Sequence, residues 1–299
     1  MTTSYSASGI KPKRARRTNE ELVELDRTMI EFIEQYRPVS VRQVFYHLAA
    51  IRMIPKDQNQ YDSIQKRLSN MRKDKVLPYS WISDGTRYMR KPDTFNSVRA
   101  SLEYSIRNYR RAIWTDQRIH IEFWLEKEAL AGTINDILDD WDVPFYVSRG
   151  FSSHSYLYKA AQYLMSMRKE AHVYVMTDCD QKGLEIKDCI RNAFVEHCAD
   201  HPHDIHVHRL AMTPEQVEAW GIQTRDAKPG KGVLPNNQDA DLDAIPPEQF
   251  RALVRDAVTS HVDDHRYQRL LKEEELERET LAQFMSAWDI QHDPAGYVN

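Results

Sequence analysis

The sequence predicts a mixed α/β protein in two parts, an N-terminal helical domain and a parallel-sheet domain behind it. Three observations carry this. Helical periodicity with clean start signals runs through residues 19–75. Strands and helices alternate from Arg118 onward. The charge divides between the same two regions: of 299 residues, 1–115 hold 22 Lys and Arg against 12 Asp and Glu, a net of +10, and the remainder holds 19 against 33, a net of −14. Such asymmetry points to a polyanion-binding part beside one of another kind, although a basic solvated surface also accounts for the charge alone.

Residues 1–18 are polar, carry the Lys11–Arg17 basic cluster and show no periodicity, so they read as a disordered basic arm. A first helix follows from Asn19 to Tyr36 with Leu22, Leu25, Met29 and Phe32 on one stripe, and Pro38 interrupts it. A second starts at Ser40, where Ser40 and Gln43 form a capping box and Val39 and Val44 a hydrophobic staple. Its core face is Val41, Val44, Phe45 and Leu48. A third, from about Tyr61 to Lys75, turns Ile64, Leu68 and Met71 inward and carries Lys66, Arg67, Arg72 and Lys73 on its other faces. Asp84-Gly85 then gives a hairpin turn signal. Three short helices, the third basic, followed by a hairpin is the order of a winged helix-turn-helix domain, which lays its third helix in the DNA major groove; any small bundle with a basic face has the same order.

From Arg118 the expected strands are 119–125, 144–148, 171–177 and 205–212. The intervening helices are 127–140, one capped by Ser153 and ending near Arg168, and 184–198. Strands spaced in this way imply a parallel sheet with helices on both faces. Residues 224–239 read as a long loop, and two helices, about 246–262 and 266–289, close the chain. The domains are therefore expected at 19–115 and 116–265, with a C-terminal helix over 266–299.

Composition excludes several classes. No window approaches the ~18 uninterrupted apolar residues of a membrane span, and the first residues carry basic groups without an apolar run, so no secretory signal is expected. Three cysteines without a CxxC pair exclude a disulfide scaffold and a cysteine-rich zinc module, and a reducing, cytoplasmic setting fits best. Nine glycines make a Gly-rich phosphate loop improbable against the usual ~7%. Of the four histidines at 201, 203, 206 and 208, His206 and His208 alternate with Ile205 and Val207 as on a strand with one polar face, which is favoured over a zinc site.

In open parallel sheets the reactive side chains lie beyond the carboxyl ends of the strands. The strand 119–125 runs into Glu126, and the strand 171–177 into Asp178-Cys179-Asp180-Gln181-Lys182-Gly183. Three carboxylates at one sheet edge are hard oxygen ligands suited to Mg²⁺ or Mn²⁺, at which a phosphodiester could undergo phosphoryl transfer. Gly183 is expected to turn the chain into the next helix, and a simpler role for Asp178 or Asp180 is to cap that helix.

A Glu closing one strand and Asp-x-Asp-x-x-Gly after a later one resembles the Toprim fold of topoisomerases, primases and some nucleases. A narrower resemblance covers residues 20–265. Val-Arg-Gln-Val-Phe-Tyr-His-Leu (41–48) is similar to the helix carrying the active-site tyrosine in the A subunit of type IIB topoisomerases (topoisomerase VI) and the related meiotic double-strand-break protein. The aromatic-rich strand before Glu126-Lys127-Glu128-Ala129, Arg-Gly-Phe-Ser-Ser (149–153) and Leu-Asp-Ala-Ile-Pro (242–246) resemble segments of the same family. The family's Asp-Pro-Tyr-Gly is Asp180-Gln181-Lys182-Gly183 here.

The resemblance implies a topoisomerase-like DNA-cleaving enzyme with Tyr46 as nucleophile and Glu126, Asp178 and Asp180 holding Mg²⁺, Mn²⁺ being an alternative. It also implies double-stranded DNA as substrate, a homodimer pairing Tyr46 of one protomer with the acids of the other, a separate ATPase subunit for strand passage, and association with the nucleoid. From the residues alone, Arg42 lies on the Tyr46 face of the helix, where its cation could favour the phenolate or hold a phosphate; a half-buried aromatic is the simpler reading of Tyr46. Two other functions fit the sequence: a Toprim nuclease using metal-activated water, and a non-catalytic DNA-binding protein.

Overall fold

In the computed structural model, residues 17–83, 91–201 and 203–292 are described. The basic arm up to residue 16 and the expected Asp84-Gly85 turn lie outside them. None of the described helices is long and apolar enough to cross a membrane.

The N-terminal core is built from α1 (Asn19–Tyr36), α2 (Val41–Ala50) and α3 (Gln58–Lys73). Each starts at a side-chain cap: Thr18 with Glu21, Ser40 with Gln43, and Asp57 accepting from the Gln60 amide. The Asp57 cap starts α3 three residues before the expected Tyr61. Leu25, Met29, Ile33, Val44, Leu48, Ile64 and Leu68 meet in one core, and Val39 pairs with Ile82 to close it. Burying each such side chain contributes about 1.5–3 kcal/mol, so this core is held by packing more than by helix propensity. Ser40→Ala removes a buried cap and is expected to cost about 1 kcal/mol, lowering the melting temperature by roughly 2–4 °C in a thermal denaturation.

Next come α4 (Val98–Asn108) and α5 (Ile113–Asp116), neither read from the sequence. The sheet strands are β1 (Ile119–Leu125), β2 (Phe145–Val147), β3 (Glu170–Met176) and β4 (Ile205–Ala211), in the order β2-β1-β3-β4 and all parallel. The crossovers are α6 (Ala131–Asp140), α7 (His154–Met167) and α8 (Gln181–His197). α9 (Pro214–Ala219) precedes a two-stranded ribbon, β5 (Arg225–Asp226) with β6 (Gln238–Asp239), inside the expected loop. Finally come α10 (Pro247–Thr259) and α11 (Asp264–His292).

β1 is buried along almost its whole length, His120 and Glu122 included, because it is central and covered on both sides. Ile121, Phe123 and Leu125 face α6 and α10, while Trp124 joins Val173, Val175, Leu157, Ile186 and Ile190 beneath α7 and α8. The helical and sheet parts meet along α2. Arg251 donates to the carbonyls of Thr133 (3.0 Å) and Pro38 (3.1 Å), and Thr133 Oγ1 donates to buried Gln43 Oε1 (3.2 Å). α4 and the residues after it turn away from the N-terminal core: the Tyr109 hydroxyl donates to Glu277, and the Arg278 guanidinium donates to the Tyr109 carbonyl (2.9 Å). Residues 98–111 therefore pack on α11, although they fall inside the expected N-terminal domain.

Candidate functional site

The register of the sheet sets the first two acids side by side. Leu125 pairs with Met176, so Glu126 and Asp178 leave neighbouring strands at one end, each 8% exposed. The Asp178 amide donates to Glu126 Oε2 at 3.3 Å. Asp180 behaves differently. Its Oδ1 accepts from the Gly183 amide at 2.7 Å and caps α8, which begins at Gln181, three residues before the expected Leu184. Gly183 thus sits in the first turn of a helix and not at a tight turn. A Cβ there would lie 2.1 Å from the Asp178 carbonyl oxygen, so close approach explains the glycine. Glu126, Asp178 and Asp180 do not draw together as a ligand set: among the described residues, the one group of three with ligand atoms within 4.8 Å of each other is Glu170, His172 and His206.

The structure adds two acids that the spacing did not single out. Cys179 and Ala240 exchange backbone hydrogen bonds (2.8 and 3.1 Å), laying residues 239–243 beside the Asp178 loop. Ala240 and Leu242 enter the core, and the alternation aims Asp241 (3% exposed) and Asp243 (1%) the other way. The Leu242 amide donates to Asp178 Oδ1 at 2.7 Å.

Cations interleave these acids. Lys127 Nζ lies 2.7 Å from both Asp178 Oδ1 and Asp243 Oδ2, and 3.8 Å from Asp241 Oδ1. Lys182 Nζ is 2.9 Å from Glu126 Oε1, and Arg225 reaches Asp241 Oδ1 at 3.0 Å and Asp180 Oδ2 at 3.6 Å. Burial works against the Lys127 charge, but Asp243, Asp178 and Asp241 outweigh it and hold the ammonium above the usual lysine range. Burial raises the Asp178 carboxyl, with Lys127 opposing. Burial pushes Asp241 the same way, yet Lys127, the Tyr46 hydroxyl, Arg225 and Lys56 together hold it below the usual carboxylate range.

Tyr46 projects from α2 into this network. It is 8% exposed, and its hydroxyl donates to Asp241 Oδ2. Burial and then Asp241 raise its phenol well above the usual tyrosine range, so it is neutral at rest. Lys56 Nζ stands 4.8 Å above its ring and 4.0 Å from Asp241 Oδ2, with its own pKa lowered chiefly by burial. Arg42 shares the Tyr46 face as expected, but its guanidinium lies over Tyr61 (5.5 Å) and 3.8 Å from Asp243 Oδ2. Tyr46, Arg42, Tyr61, Lys56, Arg225 and Asp241 line one open cleft of about 530 Å³.

Of the four basic residues expected to meet DNA, Lys66 and Lys73 are exposed on α3. Arg67 is committed elsewhere, forking onto Asp26 of α1 (2.6 Å to Oδ2) and donating to the Leu22 carbonyl (3.2 Å). It ties α1 to α3, with its side chain still 29% exposed. Arg72 lies 5.7 Å over the Tyr79 ring.

The acids at 241 and 243 left two signals, the alternation Asp239-Ala240-Asp241-Leu242-Asp243 just after the stretch read as loop and the place of Asp243 in the resembling segment 242–246. Compared with known proteins, the chain matches no protein-family model, no curated protein and no solved structure.

Proposed function

We propose that the chain is a DNA-cleaving transesterase of the type IIB topoisomerase A-subunit kind, with a winged-helix N-terminal part and a Toprim-like sheet domain. One observation carries this: the Tyr46 hydroxyl donates to Asp241 in an open cleft where Arg42, Lys56 and Arg225 stand among Asp57, Asp226 and Asp241, and Asp241 is joined through Lys127 to Asp178 at the sheet edge. A nucleophile, a base within hydrogen-bond reach and cations for a phosphate are the parts that transesterification needs. The resemblance of residues 41–48, 126–129 and 242–246 adds to it.

In this mechanism the Tyr46 oxygen bonds to phosphorus while its proton passes to Asp241 Oδ2. The bond to the 3′ oxygen breaks, leaving a 5′-phosphotyrosyl enzyme. Lys56, in the same cleft with its pKa lowered by burial, supplies the proton for the departing 3′ hydroxyl. Arg42 and Arg225 hold the phosphate, and Lys66, Lys73 and Arg72 meet the double helix. The all-oxygen pair Glu126 and Asp178 would hold Mg²⁺, which typically takes one or two carboxylates and keeps several waters, while Asp180 caps α8 through Oδ1 and faces Arg225 through Oδ2 (3.6 Å). When bound, Mg²⁺ or Mn²⁺ stabilises charge developing on the phosphate. A homodimer and a separate ATPase subunit belong to this reading as partners.

The test is cleavage of supercoiled plasmid with Mg²⁺ or Mn²⁺, stopped with detergent and divided into protease-treated and untreated halves. Breaks with protein on their 5′ ends, absent from Asp178→Ala, are expected. The raised Tyr46 phenol favours a second reading, a Toprim nuclease that hydrolyses DNA with metal-activated water. Free ends in both halves of the assay would select that reading, and binding with no breaks under either metal would leave a non-catalytic DNA-binding protein.

Lys66→Ala and Lys73→Ala are each expected to reduce the slope of log affinity against log salt by about 1. Arg67→Ala should leave the slope unchanged and lower the melting temperature, because its partner is Asp26 and not a phosphate. Equilibrium binding to a DNA duplex over a salt series checks both.

A further inference from the structure

The polar face of β3 and β4 carries a second site, far along the sheet from the carboxyl ends. Glu170 and His172 are two apart on β3 and so share a face, and His172 lies in register with His206 on β4. This face is the one packed toward α10, at the starting ends of the strands, and β4 is the open edge of the sheet. His172 Nε2 lies 3.3 Å and His206 Nε2 3.1 Å from the same oxygen, Glu170 Oε1. The three ligand atoms fall within 4.8 Å of one another. Ligands about 2.0–2.1 Å from a tetrahedral zinc ion stand about 3.3 Å apart, so two of the three edges already have that length.

The surroundings resemble the support that metal-bound imidazoles receive. A ligand lone pair at His172 Nε2 leaves the ring proton on Nδ1, which lies 3.0 Å from His208 Nε2. His261 packs on the His172 ring with centroids 4.3 Å apart and is held by the Tyr174 hydroxyl at 2.5 Å. His206 is partly exposed, which gives an ion a path from solvent.

We propose that Glu170, His172 and His206 form a binding site for a zinc-class divalent ion, with water completing the shell. Two imidazoles and one carboxylate suit Zn²⁺, Co²⁺ or Ni²⁺ and not Mg²⁺, so the site is chemically separate from the acids at the other end of the sheet. The ion joins edge strand β4 to β3. The sequence alone placed His206 and His208 on a strand with one polar face; that strand is present, and the partners that make a ligand set come from β3, 34 residues earlier at His172.

The full-length chain, stripped with chelator and kept in excess Mg²⁺, is titrated with Co²⁺ and followed by visible absorption. One equivalent with the strong band of a four-coordinate ion is expected, displaced by Zn²⁺. His206→Asn and Glu170→Gln should lose the band, His208→Ala should bind about 10- to 100-fold more weakly, and Asp178→Asn should bind as the unaltered chain does. Because His206 lies on the edge strand, far-UV circular dichroism of metal-free His206→Asn should match the unaltered chain, and Zn²⁺ should raise the melting temperature of the unaltered chain only. No band in the unaltered chain, or a band surviving both His206→Asn and Glu170→Gln, overturns the site.

Discussion

Tyr46→Phe eliminates protein-linked breaks, the yield of covalent adduct falling on the order of 10⁴-fold or more, read on denaturing gels of end-labelled DNA before and after proteolysis. The substitution removes one oxygen from a ring that is otherwise packed, with Phe45 at 5.5 Å, and leaves Asp241 its contacts with Arg225 and Lys127. Fold and DNA affinity should therefore persist. Asp241→Asn keeps a hydrogen-bond acceptor for the hydroxyl but discards the base, so adduct formation should drop about 10²–10⁴-fold with Tyr46 still present. Adduct formed by Tyr46→Phe would sink the transesterase. Free ends that survive in Tyr46→Phe and vanish in Asp178→Ala would move the chemistry to metal-activated water.

The second large effect is expected at Lys127. Its ammonium is the shared counter-charge of Asp178, Asp241 and Asp243, and its side chain is only 17% exposed. Lys127→Met keeps much of the volume and leaves three buried carboxylates short of a cation, a change that costs about 3–5 kcal/mol when one partner of a buried pair is removed. A melting temperature lower by on the order of 10 °C follows. Mg²⁺ should recover part of the loss, about 2.7 kcal/mol at a concentration 100 times its dissociation constant, and more in Lys127→Met than in the unaltered chain. Thermal melts of both proteins with and without Mg²⁺ measure this; an unchanged melting temperature in the variant would show that the acids are solvated or protonated and need no counter-charge.

The sheet was legible because its strands are short β-branched and aromatic segments, alternating in β4, separated by amphipathic helices, so that Glu126 and Asp178 could be placed at strand ends by counting. Ser40 and Ser153 were legible as caps because a cap is a local event, settled within three residues. Asp180 shows the limit of such counting: Asp178 and Asp180 are two apart as on a strand, but the chain already turns at Asp180 to start α8, and its carboxylate is used by Gly183. Arg67 shows another limit, since a basic helix face does not reveal that α1 supplies Asp26. Asp241, Lys56 and Arg225 were missed for a third reason. Their roles come from contacts between separate elements, over 195 residues for Tyr46 and Asp241, and no periodicity within a segment encodes a partner in another element.

The Tyr46–Asp241 hydrogen bond closes over 195 residues, and the Arg251–Pro38 bond beside it over 213. Closing loops of that length costs chain entropy that local helices and hairpins never meet. The helical core at residues 25–82 and the sheet core each hold most of their own contacts, so the cleft is the last part of the molecule to be specified. Refolding followed by far-UV circular dichroism and by recovery of cleavage should consequently give two time courses, the slower reporting the docking of one completed half on the other.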